Sequence, residues 1–351
     1  MSSKMFTVIV SVYNVMPYLE ECLGSLAFQT FRDFDVVLVN DGSTDGSRAC
    51  CGRFAEEHPD IPTTIVDKEN GGLLQARISG LKQAGGDFVV TLDGDDELRA
   101  DALETIASCI REFTPDVVCF DHSRSGDYSS PEPALYEVPT LLSGEEIVPL
   151  LKELCVSSKL NSIWGKAFRR EYADGIFLLE DLGRLQYGED LLQSAAVLGR
   201  AEKVVYFPEA IYHYRWNPDS ITNRVEPERL RGRYDDMKRV RVRLRRYASG
   251  FDRKYPGHGF GERSYIYDCV ELYRLMQAAA ICGREFFTSF ASSVATDAFF
   301  AEACHSGLSG TRADMSLVLG MVSKGHYGGA YAAVSLVRGL SRSKGKQVTD
   351  K

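Results

Sequence analysis

Phe88-Val89-Val90-Thr91-Leu92-Asp93-Gly94-Asp95-Asp96 runs from a short apolar, β-branched segment straight into three acids and a glycine. The apolar part reads as a buried strand, so the carboxylates fall where that strand ends. In open α/β sheets this edge is where ligands bind. Asp93 and Asp95, separated by a glycine, can reach one divalent cation or one polar ligand without a bulky side chain intervening. The same residues are also compatible with an acidic turn in which Asp95 or Asp96 caps the next helix. The neighbouring segments have to decide between these readings.

Before this stretch, strand and helix patterns alternate with short connections. Phe6–Val12 reads as a first strand ending at Tyr13-Asn14, and Pro17 opens a helix at a position where a missing N–H costs nothing. Phe34–Asn40 is a second strand, followed by the turn Asp41–Ser47 and a helix to about Glu57. Thr63–Asp67 is a third strand, Leu73–Ala84 a helix, and Phe88–Leu92 the fourth strand. Such alternation predicts a mostly parallel sheet covered by helices. It places Tyr13, Asp41, Asp93 and Asp95 together at the carboxyl edge. No GxGxxG fingerprint follows the first strand and no P-loop pattern occurs, which disfavours a dinucleotide-binding domain or a nucleotide triphosphatase.

Composition narrows the class further. The 351 residues are 44% hydrophobic and 26% charged, as in a globular protein, and the net charge of −8 gives no reason to expect nucleic acid. Nine cysteines are scattered without a recurring CxxC, so neither a zinc site nor a disulfide framework is indicated. No signal-peptide pattern precedes Phe6, and no apolar run approaches the roughly 20 residues of a membrane span. A cytoplasmic protein is the expectation.

Four motifs occur in order: Val10-Ser11-Val12-Tyr13-Asn14, Asn40-Asp41-Gly42-Ser43-Thr44-Asp45, Asn70-Gly71-Gly72 with Ala76-Arg77, and Leu92-Asp93-Gly94-Asp95-Asp96. Together they resemble the nucleotide-binding half of the family 2 glycosyltransferases, inverting enzymes of the GT-A fold. Where that family usually has Asn after Ala-Arg, this chain has Ile78. Three later stretches extend the resemblance to about residue 224: Ile163–Glu171, Tyr187-Gly188-Glu189-Asp190-Leu191, and Ile211–Arg215 with Ser220-Ile221-Thr222.

The resemblance implies a GT-A (Rossmann-like) mixed, mostly parallel sheet with flanking helices and a C-terminal helical region. Residues 1–120 would form the nucleotide-sugar half, 121–224 the acceptor half and 225–351 the helical region. Ser11, Tyr13, Asp41, Arg77 and Asp93 would bind the donor: Tyr13 against the base, Asp41 accepting from it, Arg77 near base and diphosphate, and Asp93 at the ribose. Asp95 would hold Mn2+ or Mg2+, as hard oxygen ligands suit these ions. His213 would be a further metal ligand or diphosphate contact, or else a packed histidine. Asp190 would be the catalytic base, with Glu189 polarising the site; an acidic helix start favoured by the helix dipole is compatible with both roles. The implied activity is transfer of a sugar, hexosyl or N-acetylhexosaminyl with UDP as the expected carrier, to an acceptor hydroxyl in cell-surface polysaccharide synthesis. The alternatives are a non-catalytic nucleotide-sugar-binding or scaffold protein, and a hydrolase using Asp95 and Asp190 as paired carboxylates.

In the last third, ten Arg and Lys residues fall between Arg224 and Arg246, with Leu230, Tyr234, Met237, Val240, Leu244 and Tyr247 at helical spacing. This is an amphipathic helix with a basic face. It suits either a solvated surface or attraction to an anionic membrane. Tyr265–Cys282, Glu285–His305 and Met315–Leu340 are further helix expectations, and a role in forming homo-oligomers is open to this region.

Overall fold

A computed structural model describes residues 3–129, 131, 134–217 and 226–337. Two compact units emerge, Met1–Leu154 with Ser158–Pro218, and Cys155–Ser157 with Asp219–Lys351. The expectations for Arg224, for Ser220–Thr222 and for the chain beyond 337 lie outside the described residues.

The first unit begins β1 (Phe6–Val12), α1 (Met16–Ala27), β2 (Phe34–Asn40), α2 (Ser47–Glu57), β3 (Thr63–Asp67), α3 (Leu73–Leu81) and β4 (Phe88–Asp93). These four strands pair in parallel as β3-β2-β1-β4. β1, β2 and β4 read as nearly continuous Val, Ile, Leu and Phe because the interior of a parallel sheet is covered on both faces, whereas the edge strand β3 is Thr63-Thr64-Ile65-Val66-Asp67 with no fully buried residue. Along β1, Val8, Val10 and Val12 join a core with Leu19, Cys22, Leu23 and Leu26 of α1 and Cys50, Cys51 and Phe54 of α2. Ile9 points the other way, onto α3, where a Cβ on Gly80 would come within 2.4 Å of the Ile9 side chain. The two-residue period of a strand therefore sends Ser11, and Asp93 opposite it in register, to the α3 side.

Past β4 the sheet becomes mixed. It continues through β5 (Glu97–Leu98), α4 (Ala102–Phe113), β6 (Val117–Ser123), β7 (Thr140–Ser143), α5 (Val148–Val156), β8 (Lys166–Arg169), α6 (Ala173–Phe177), α7 (Glu189–Leu198) and β9 (Lys203–His213). β8 runs antiparallel between β4 and β6, β9 is parallel to β6, and β5 and β7 run antiparallel to β9. Where the sequence suggests one helix over Leu142–Leu154, Leu142 pairs with Val204 in β7. Ser143 then forms a capping box with Glu146 that opens a 3₁₀ turn ahead of α5.

The second unit contains α8 (Pro227–Lys254), α9 (Phe260–Ile281), α10 (Arg284–Ala295), α11 (Ala298–Gly307), α12 (Ala313–Ser323) and a helix over 327–337. The single helix expected over Glu285–His305 is two helices. Asp297 interrupts it by accepting a hydrogen bond from the Phe299 N–H at 2.8 Å, an N-cap for α11. In α8, Arg241 and Arg245 turn inward to Asp268 of α9, and Asp268 is fully buried. Lys238 reaches Asp297 at 2.7 Å, while Arg229 and Arg239 pair with Glu226 and Asp236. No described helix is long and apolar enough to cross a membrane.

Candidate active site at the carboxyl edge of the sheet

The ends of β1 and β2 are laced together. Asn14, in a left-handed conformation with φ of 52°, donates its N–H to Ser43 Oγ at 3.2 Å and accepts from the Thr44 N–H at 2.8 Å. Asp45 accepts from the N–H groups of Met16 and Ser47, at the first turns of α1 and α2. These contacts hold Tyr13 at the edge, 45% exposed as a residue, where its ring is available to lie against a planar ligand. Ser11 is buried beside it, and its hydroxyl has no hydrogen-bond partner among the described residues.

Asp41 is also buried, and its carboxylate is already engaged. One oxygen accepts from the Gly71 N–H at 2.9 Å and from Lys68 Nζ at 2.5 Å; the other accepts from the Gly72 N–H at 2.9 Å. Asp41 thus fastens the Asn70-Gly71-Gly72 turn, and with it the start of α3, to the end of β2.

Arg77, on the sheet-facing side of α3, has no exposed surface. Its Nη2 donates to both oxygens of Asp93, at 2.8 and 3.1 Å, and its Nη1 donates to Asp190 at the start of α7. Gln193, one helical turn beyond Glu189, lies 3.4 Å from the same Nη1. Residues 77, 93 and 190, far apart in the chain, meet on one guanidinium. Burial alone would lower the Arg77 pKa, but the charges of Asp190 and Asp93 more than offset it and the guanidinium is held firmly protonated. Burial pushes the Asp93 carboxyl up to about 6 although Arg77 opposes this. Glu189 is raised further, to about 7, by burial and by the neighbouring charge of Asp190. Its Oε2 is buried without a partner among the described residues.

The Asp93–Asp96 turn distributes its acids in different directions. A Cβ at Gly94 would sit 2.9 Å from the Ser11 carbonyl oxygen, so glycine lets the turn close against β1. Asp95 accepts from Asn217 Nδ2 at 2.9 Å. Asp96 does not cap a helix; it is buried, accepting from Tyr212 Oη at 2.7 Å and the Arg215 N–H at 2.9 Å. Burial first, and then the charge of Asp95, raises its pKa well above the carboxylate range. His213 lies opposite Glu97 in the β5–β9 pair and contacts its carboxylate at 3.4 Å. Arg215 shares that same carboxylate.

Among the described residues no three His, Cys, Asp or Glu side chains gather as a complete metal site. The donor set nevertheless fits a hard cation held mainly by its substrate. Mg2+ and similar ions are commonly bound through one or two carboxylates plus phosphate oxygens and water. Asp95 supplies such a carboxylate, whereas both oxygens of Asp93 are turned to Arg77.

Sequence reasoning passed over Asn217, Gln193 and the tyrosine hydroxyl of Tyr212. None has a local signature, because each matters only through a partner distant in the chain. Trp164 is core: it is 6% exposed and stacks on Tyr212 and Tyr214 at 4.3 and 5.5 Å. Lys166 is buried too, donating to the carbonyls of Leu160 and Ser162 at 2.8 and 2.7 Å.

Residues 7–172 match the model of Glycosyl transferase family 2. The uncharacterized glycosyltransferase EpsJ of Bacillus subtilis is 32% identical over 219 residues, spanning 62% of this chain and 62% of that protein. The glycosyltransferase GlyA of Streptococcus pneumoniae is 33% identical over 226 residues, 62% of this chain but 31% of its own length. Both matches thus cover less than two thirds of the relative. In fold, the chain is similar to S. aureus TarS 1–349, crystallised with UDP-GlcNAc, with a TM-score of 0.60 at 20% identity over 95% of this chain and 91% of that one. The mixed, mostly parallel sheet with its helical C-terminal region is the GT-A architecture expected from the motifs. Residues 7–172 are thus similar to glycosyl transferase family 2.

Proposed function

We propose that this protein is an inverting glycosyltransferase. It would move a hexosyl or N-acetylhexosaminyl group from a nucleotide-sugar donor, UDP-linked, to an acceptor hydroxyl during synthesis of a cell-surface polysaccharide or glycoconjugate. The observation that carries this reading is the meeting of Asp93 and Asp190 on Arg77, beside Asp95, in a family 2 chain. A UDP-sugar is the donor class to try first, since TarS of similar fold was crystallised with UDP-GlcNAc.

In this reading the acceptor oxygen attacks the anomeric carbon from the face opposite the diphosphate. The bond from that carbon to the phosphate oxygen breaks, and the acceptor proton passes to Asp190. Arg77 orients Asp190, and the exposed ring of Tyr13 supports the base of the donor. Asp95 would hold Mn2+ or Mg2+, which when bound supplies positive charge for the departing diphosphate. We place the reaction in the cytoplasm, where nine scattered cysteines without a recurring CxxC would stay reduced.

The test is incubation with UDP-, GDP- and dTDP-sugars plus Mn2+ and simple saccharide acceptors, reading release of nucleoside diphosphate. One donor should support release. Asp190→Asn should lower turnover by at least about a hundredfold, the scale of a lost general base, while donor affinity stays within a few-fold. Tight donor binding with no release from any donor or acceptor would favour the non-catalytic binder instead.

A further inference from the structure

Far along the chain from these acids, Cys269 of α9 and Cys304 of α11 form a second chemically distinctive pair. The two helices touch backbone to backbone: a Cβ at Gly307 would lie 2.2 Å from the Tyr265 carbonyl oxygen, and one at Gly310 would lie 2.5 Å from the Ile266 side chain. One turn along this seam, Cys269 Sγ donates to the Ala303 carbonyl oxygen at 3.2 Å, so its sulfur lies against the peptide leading into Cys304. Disulfides need Cα atoms about 4.4–6.8 Å apart, with the side chains facing each other. Cys269 Sγ lies against the backbone of the residue before Cys304, in a seam whose elements already approach closely.

The two thiols differ in ways that suit sequential oxidation. Cys269 is fully buried, whereas Cys304 is partly exposed. Hydrogen bonding to Cys269 lowers the Cys304 thiol below the ordinary cysteine value, and the same interaction, with burial, raises Cys269. The thiolate is the species that attacks peroxide.

We propose that Cys269 and Cys304 form a reversible oxidation site within the C-terminal helical unit, closed to a disulfide by peroxide. The Cys304 thiolate attacks one peroxide oxygen, breaking the O–O bond to give a sulfenic acid and one water. Cys269 then attacks the sulfenic sulfur, the S–O bond breaks, a second water leaves and the S–S bond forms. Two thiols thus lose two electrons and two protons, and one hydrogen peroxide becomes two waters.

The sequence makes the test direct. Trypsin should release Ser264–Arg274 containing Cys269 alone, Leu275–Arg284 containing Cys282 alone, and Glu285–Arg312 containing Cys304 alone. The folded, full-length, reduced chain is treated with hydrogen peroxide, alkylated under denaturing conditions, digested without reductant and analysed by mass spectrometry. The expected result is a crosslinked species joining the Cys269 and Cys304 peptides, dissolved by dithiothreitol, while the Cys282 peptide stays alkylated. The crosslinked chain should melt several degrees higher, since the bond constrains the unfolded state. Recovery of both peptides as alkylated thiols would overturn the proposal. So would Cys304 carrying oxygen with Cys269 still alkylated, or a bond from either to Cys282. The mapping uses the unmutated chain, so it does not depend on a variant folding; Cys304→Ser should additionally abolish the crosslink.

Discussion

Arg77 carries a positive charge where the protein leaves it no access to water, and it is tolerable there only because two carboxylates face it. Breaking such a buried arrangement by removing one partner costs about 3–5 kcal/mol, because the opposite charges remain uncompensated. Arg77→Met should therefore destabilise the chain on this scale, measured as a drop in the denaturant midpoint. Arg77→Lys should recover only part of it, as an ammonium cannot fork between Asp93 and Asp190. Glu189 makes a prediction of the opposite sign. Its carboxyl is raised to about 7 by burial and by Asp190, against about 4.3 in an unfolded chain. The folded state therefore holds this proton more tightly, and stability falls as pH rises between those values. Glu189→Gln fixes the uncharged form. Melting temperatures recorded from pH 4.5 to 7.5 should decline less steeply in the variant, which should melt above the parent at pH 7.5. From sequence, the motif singled out Arg77 as a candidate, but its burial could not be read, since that depends on Asp190 arriving from a segment 113 positions away.

At the scale of elements, β1, β2 and β3 match the ranges read from sequence; in β1 and β2 two-sided burial writes itself as a nearly continuous apolar run, while the edge strand β3 shows only Ile65-Val66 between polar residues. β8 was not legible: Lys166-Ala167-Phe168-Arg169 is short and charged, and it is a strand only because β4 and β6 flank it. The merged helix over Glu285–His305 failed for a related reason, since Asp297 acts as a cap only once its side chain has turned back to Phe299. Glycines separate the helices in a testable way. Gly80 of α3 approaches Ile9 and Val39, with an added Cβ at 2.4 and 3.2 Å from their side chains. Gly80→Ala should cost about 1–3 kcal/mol by overpacking and, by lifting α3, displace Arg77 one turn away. Gly24→Ala in α1, where an added Cβ meets nothing within 4 Å, should be neutral or stabilising by up to about 1 kcal/mol. Thermal melts of the two variants side by side would check this contrast.

For the whole molecule, counting charges along α8 overstates its basic face. Arg229, Lys238, Arg239, Arg241 and Arg245 each face a carboxylate, two of them inside the helical unit. Flotation with anionic liposomes should accordingly give weak association that disappears at moderate salt; salt-resistant association would show that apolar insertion, not charge, holds the protein to lipid. The sharing of one cation by Asp93 and Asp190 has a consequence for the order of events. Under the proposed function, those residues serve the two reacting partners, the donor ribose and the acceptor hydroxyl. Whatever draws Asp93 away leaves the guanidinium to Asp190, and whatever protonates Asp190 leaves it to Asp93. By thermodynamic reciprocity, occupancy at one partner's place is then felt at the other's. Donor and acceptor would bind as communicating ligands, with a single buried arginine as the wire.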